Sequence, residues 1–167
     1  MSLGSHTRGF ARIFAVSLGL LAMTAVPARA DITAFLGLSP TPERHSVKGV
    51  SGGLSLVIVG FEFEYSHLGE DTPEALPGLK TYSGNVLVQT PIELKGTQFY
   101  ATAGAGGYQE YLGPRDKTHV SLNFGGGIKV RVLGPVRLRL DYRVFQLKGQ
   151  PLYPTYQRFY AGANFAF

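Results

Sequence analysis

Beyond residue 30, apolar and polar positions alternate with a period of two along most of this chain. Successive side chains of a β-strand point to opposite faces, so that period predicts strands. The first runs from Asp31 to Ser39, with Ile32, Ala34, Leu36 and Leu38 on one face and Thr33, Phe35 and Gly37 on the other. Two prolines in Ser39-Pro-Thr-Pro-Glu-Arg44 end it, since proline donates nothing to a ladder. A second strand spans Lys48 to Val57, and a turn near Ile58-Val59-Gly60 leads to a third, Phe61 to His67, which sets Phe61, Phe63 and Tyr65 against Glu62, Glu64 and Ser66.

The same reading places a fourth strand over Thr81 to Thr90 and a fifth over Gln98 to Tyr111. Which face of 98–111 is the apolar one is left open, because Phe99, Ala101, Ala103 and Ala105 oppose a face that also holds Tyr100 and Tyr108. The sixth and seventh strands are the clearest pair. Val120, Leu122, Phe124, Ile128, Val130 and Val132 share one face, opposite Ser121, Asn123, Gly125, Gly127, Lys129 and Arg131. After the tight turn Leu133-Gly134-Pro135, the residues Val136, Leu138, Leu140, Tyr142 and Val144 oppose Arg137, Arg139, Asp141 and Arg143. The eighth strand, Thr155 to Phe167, closes the series with Phe159, Ala161, Ala163, Phe165 and Phe167 on one face and Tyr160, Gly162 and Asn164 on the other. Loops near 40–47, 68–80, 111–119 and 148–154 alternate with shorter turns. The pattern is an eight-strand antiparallel up-and-down meander, all-β in class.

Charge changes the picture once the leader is set apart. Residues 1–30 hold Arg8 and Arg12, an apolar run from Ile13 to Val26, and the small-x-small site Ala28-Arg29-Ala30, which together read as a cleaved secretory signal peptide. Residues 31–167 then form the mature domain. The whole chain has a formal charge of +5, but outside the leader 13 basic residues face 11 acidic ones, a net of +2. That is no footprint for nucleic acid. Cysteine is absent, so no disulfide framework supports the fold and no lipid anchor follows the cleavage site.

A soluble barrel would also alternate, so the identity of the buried face decides the class. Glu62 and Glu64 carry charges opposite to Lys129, Arg137, Arg139 and Arg143, a set able to pair across a narrow lumen, and buried ions must be paired. Strands of about nine to eleven residues tilted near 45° span a hydrocarbon layer, and closure leaves no unpaired edge. Tyr65, Tyr82, Tyr111, Tyr142 and Tyr156 suit an aromatic girdle.

Phe61-Glu-Phe-Glu-Tyr65-Ser66, Phe99-Tyr-Ala-Thr-Ala-Gly104, Asn123-Phe-Gly-Gly-Gly127 and the terminal Tyr160-Ala-Gly-Ala-Asn-Phe-Ala-Phe167 carry a resemblance. The mature chain resembles the small eight-stranded outer-membrane β-barrels of Gram-negative bacteria, akin to the transmembrane domain of outer-membrane protein A and its single-domain relatives. That resemblance implies a closed eight-stranded transmembrane barrel in the cell outer membrane, surrounded by outer-membrane lipid. It also implies delivery by periplasmic chaperones and the barrel assembly machinery, and a monomer without a cofactor. The C-terminal segment is similar to the insertion signal of that family, so loss of Phe167 is expected to impair assembly.

Candidate chemistry adds little. His6, His45, His67 and His119 have no metal-ligand spacing, and neither Gly104–Gly107 nor Gly125–Gly127 precedes a helix or a Lys-Ser/Thr pair. No metal, cofactor or catalytic residue is expected. His119 and Ser121 share a face, as a base and nucleophile would, so an outer-membrane lipid-modifying enzyme of the lipid A deacylase kind is one alternative. The other is a periplasmic soluble barrel holding an apolar ligand, which requires Arg131, Arg137, Arg139 and Arg143 to face water. The leading expectation is a structural or loop-mediated interaction role, with the interior ions forming a plug rather than a pore, because eight strands enclose a lumen about filled by side chains.

Overall fold

The computed structural model describes residues 28–41, 44–70, 76–112 and 115–167; apart from its last three positions, the expected leader lies outside the described residues. Eight strands follow in order: β1 (Arg29–Ser39), β2 (His45–Ser55), β3 (Val59–Leu68), β4 (Gly78–Gln89), β5 (Thr97–Leu112), β6 (Arg115–Leu133), β7 (Val136–Leu147) and β8 (Thr155–Ala166). Each pairs antiparallel with the next, and β8 pairs with β1 to close a barrel. The fold class is therefore the eight-stranded antiparallel barrel that the alternation predicts. At the seam Ala30 and Phe167 exchange both backbone hydrogen bonds at 2.9 Å, which carries β1 two residues ahead of Asp31.

Several boundaries differ from the sequence expectation. The turn expected at 58–60 sits at 56–58, where the Leu56 amide donates to the Val59 carbonyl at 2.8 Å, so Val59 and Gly60 belong to β3. The expected 111–119 loop is mostly strand: Leu112 pairs with Arg115 and Tyr111 with Asp116, so only 113–114 connect β5 to β6. Turn-forming composition overstated the loop, because a hairpin consumes only two residues. The opposite end has the seven-residue connection 90–96, with Lys95 and Gly96 both at positive φ. Long loops and short turns thus do not segregate strictly. One end is the loop end (40–44, 69–77, 113–114, 148–154); the other is the turn end, where Ala30 meets Phe167.

The ladders fix the tilt. Ile128 on β6 lies opposite Leu140 on β7, and the outward row continues through Ala161, Leu36, Lys48, His67, Lys80 and Gln109 to Thr118, again on β6. One circuit therefore displaces the row from 128 to 118, a shear of ten residues. Eight strands with that shear tilt by about 40° from the axis, within the range for small barrels. A cross-strand row thus climbs from mid-barrel to the loop end as it goes round.

Outside, through the middle of the barrel, the exposed residues are apolar: Ile32, Leu36, Phe61, Phe63, Val86, Val88, Phe124, Leu138, Leu140 and Phe159 among them. Inside, the buried residues include Glu62, Glu64, Lys129, Arg137, Arg139, Asp141, Arg143 and Arg158. This overturns the soluble-barrel alternative: Arg137, Arg139 and Arg143 face the lumen, and only Arg131, at the turn-end rim, is half exposed. The open question on β5 is also answered, since Phe99, Ala101, Ala103 and Ala105 point out and Tyr100, Thr102 and Tyr108 point in.

Candidate functional site: the sealed lumen

Alternation on β3 and β7 aims five charged side chains at one level of the lumen. The Arg139 guanidinium forms a two-pronged ion pair with Glu62 and reaches Asp141 at 2.8 Å. Arg143 donates to Glu62 Oε1, which it shares with Arg139, at 2.7 Å, and its Nη1 lies 2.8 Å from Glu64 without aiming a hydrogen at it. The Tyr100 hydroxyl donates to Asp141 at 2.5 Å and accepts from Arg139 Nε at 2.8 Å. Glycine makes room for it: a Cβ at Gly127 would lie 2.6 Å from that hydroxyl. Between Glu64, Arg139, Asp141 and Tyr160 no gap large enough for a water remains.

Three acids and two arginines leave this level one negative charge in excess, and a third arginine sits nearby. Arg158 lies directly opposite Arg143 on the β7–β8 ladder, with both side chains fully buried. Like charges opposed in this way repel. Arg158 is turned towards hydroxyls, donating to Ser66 at 2.7 Å and Thr81 at 3.1 Å, and stacks 4.1 Å from the Phe145 ring. Glu64 is tied to β8 by the Tyr160 hydroxyl at 3.3 Å. Three acids and three arginines therefore balance across the lumen.

The expected pairing holds for Glu62 and Glu64 with Arg139 and Arg143, but two cations go elsewhere. Lys129 pairs with Asp31 at 2.6 Å, and Arg137 pairs with Glu93 at 3.0 Å, because both cations lie nearer the turn end than either glutamate. There they line a mouth of about 350 Å³ that also holds Arg29, Gln89 and Gln98. Arg158 and Asp31 escaped the sequence reading, although the parity they share with Tyr160 and Thr33 assigns both to the lumen.

Towards the loop end the lumen is filled differently. Val47, Leu68, Leu79, Tyr108, Phe145, Leu147 and Tyr156 form a continuous buried cluster that reaches down to Phe35 and Tyr160. Phe35 stacks on Tyr160 with ring centroids 4.4 Å apart. Tyr156 thus belongs to the interior and not to a girdle, since its parity on β8 is that of Arg158 and Tyr160. Tyr65, Tyr82 and Tyr142 do point outward, with Tyr65 and Tyr82 5.0 Å apart.

His119 and Ser121 share the inward face at this end, but no hydrogen bond joins them. Ser121 is fully buried and its hydroxyl has no partner, whereas His119 is exposed, its ring beside Tyr108 and Gly149. The nearby carboxylate of Glu110 accepts the Leu152 amide at 3.1 and 3.2 Å. No cluster of three metal-ligating side chains occurs among the described residues.

No protein-family model matches the chain, and no curated protein matches it in sequence. Solved structures do. The N-terminal barrel of Pseudomonas aeruginosa OprF superposes with a TM-score of 0.64 at 14% identity, covering 83% of this chain and 97% of that one. Neisserial surface protein A gives 0.60 at 16% identity, over 83% and 94%. Ail, the attachment invasion locus protein of Yersinia pestis, gives 0.52 at 12% identity, over 84% and 98%. With this closure, this lumen and these likenesses, the chain has the fold of the small eight-stranded outer-membrane barrels.

Proposed function

We propose that the protein is an integral outer-membrane barrel that acts through its loop-end surface, with a lumen sealed against conduction and no catalytic step of its own. The observation that carries this reading is the filling of the lumen: an interlocked ionic level, then an apolar level, over an outside that is apolar through its middle. Apolar side chains outside and paired ions inside suit lipid around the barrel, and closure leaves no backbone group unpaired within it. The loop end then faces outward from the cell and the turn end faces the periplasm. A leader cleaved at residue 30, delivery by chaperones and the barrel assembly machinery, and a monomeric final state belong to the same reading. The buried, unpartnered Ser121 hydroxyl is out of reach of a lipid ester, which weighs against the deacylase alternative.

Cell fractionation with and without boiling before electrophoresis tests it. A compact, heat-modifiable band in the outer-membrane fraction is expected, together with no steady large conductance from purified protein in planar bilayers. Free protein in periplasmic extracts, or a stable open channel, would overturn the reading. Lipid A mass spectra unchanged on expression are expected as well; a shift by one acyl chain that Ser121→Ala abolishes would establish the enzyme instead.

A further inference from the structure

Among the described side chains that point outward from the eight strands, the charged ones are Lys48 and Lys80. They flank His67 directly on the ladders, Lys48 opposite His67 and His67 opposite Lys80. Side chains paired this way sit about 5 Å from strand to strand, so both ammonium groups lie within reach of one small anion. Neither has a carboxylate partner among the described residues. Lys80 rests 5.3 Å from the Tyr111 ring, and the Tyr111 hydroxyl lies 3.4 Å from His67 Nδ1, so the cluster is held in place on its β5 side. Like charges two strands apart repel, and among the described residues no carboxylate forms a salt bridge with either lysine.

The row that ends on these residues begins in an apolar trough. Between Leu138 on one side and Val50 on the other, the small side chains Ala34, Ala161 and Ala163 leave an external groove of about 870 Å³, bordered by Leu36 and capped by Lys48, His67 and Lys80. The shear of the barrel makes the trough climb, so its apolar length lies at mid-barrel and its cationic end at the loop-end boundary, beside Tyr65 and Tyr82. A ligand matching both ends has a hydrocarbon chain and, at its head, a negative charge.

We propose that this groove binds a phosphate-bearing lipid, its acyl chain along Ala34, Ala161 and Ala163 and its phosphate between Lys48 and Lys80. The site rests on the membrane-barrel reading, since only a barrel set in lipid presents the trough to acyl chains. Lysine near a membrane surface attracts anionic headgroups, and tyrosine favours the same boundary. His67 completes the cradle as a neutral or charged donor.

The test uses the full chain in detergent micelles, with lipid retention read by native mass spectrometry. Phosphatidic acid is the probe, and diacylglycerol with the same acyl chains is its phosphate-free control. The wild type is expected to retain one phosphatidic acid about tenfold more than diacylglycerol. Lys48→Gln/Lys80→Gln is expected to bring retention down to the diacylglycerol level, and Lys48→Arg/Lys80→Arg to restore it. Ala163→Leu, which fills the trough and leaves the charges alone, is expected to lower phosphatidic acid retention severalfold. Equal retention of the two lipids by the wild type, or no loss in the glutamine variant, would overturn the site. Heat-modifiable migration of each sample separates the two failures: a compact barrel without phosphate preference removes only the lipid site, whereas a chain that forms no heat-modifiable barrel removes the membrane reading with it.

Discussion

Mid-barrel and the loop-end layer are built from the same eight strands, yet their two faces are exchanged. At mid-barrel, Phe63, Val86, Phe124 and Leu140 point out while Glu62, Glu64, Arg139 and Asp141 point in. In the loop-end layer Lys48, His67, Lys80, Gln109 and Gln146 point out, while Val47, Leu68, Leu79, Phe145 and Leu147 point in. The proposed membrane setting accounts for the exchange: with lipid outside, apolar groups go out and ions must satisfy one another within; with water outside, the ordinary hydrophobic arrangement returns. On the proposed reading, the loop-end layer is a short water-facing barrel standing on a lipid-facing one. Arg158 marks the junction, its guanidinium lying over Phe145 of the apolar level and hydrogen-bonded to Ser66 and Thr81.

The two levels should respond differently to mutation. Glu62→Gln leaves Arg139 and Arg143 short of their shared partner and is expected to lower the unfolding free energy by about 3–5 kcal/mol in urea titrations of the micellar protein. A loss below about 1 kcal/mol would mean that the ionic level is not interlocked. Phe145→Ala opens a cavity in the apolar level and removes the ring beneath Arg158; a loss of about 3 kcal/mol is expected. Next comes non-additivity. The double variant Glu62→Gln/Arg139→Met should be about 1–3 kcal/mol more stable than the two single losses predict, whereas Leu68→Ala and Leu87→Ala, at opposite ends of the lumen, should add. Additive losses in the first pair would erase the contrast between the levels. The smallest effect is expected at Ser121→Ala, which removes a buried hydroxyl with no partner: stability unchanged or raised by up to about 1 kcal/mol by the same titration.

Strand parity made most of this architecture legible before any coordinates. Period two assigned Glu62 and Glu64 to one face and Lys129, Arg137, Arg139 and Arg143 to another, and opposite sign grouped them without telling which cation meets which acid. The apolar level was not legible, because alternation says which residues share a face and not which face meets lipid. Phe145 and Leu147 have the parity of Arg143, and Leu79 that of Thr81, so they look like exceptions until the outside changes from lipid to water along the strand. The register was equally hidden, since no local pattern tells that Lys48 and Lys80 flank His67. That fact comes from the registers of the β2–β3 and β3–β4 ladders, which belong to pairs of strands and to no single one.

Closure itself constrains how the molecule is made. The seam joins Asp31 to Ala166 and Leu38 to Phe159, so the first strand must wait for the last before either loses its open edge. Contacts so far apart in sequence form slowly, and until they form both edges can pair with other chains. Folding strand by strand during synthesis is therefore of little use to this topology. The two ends of the barrel sequence have to be present together before it can close, which makes closure a late step of folding.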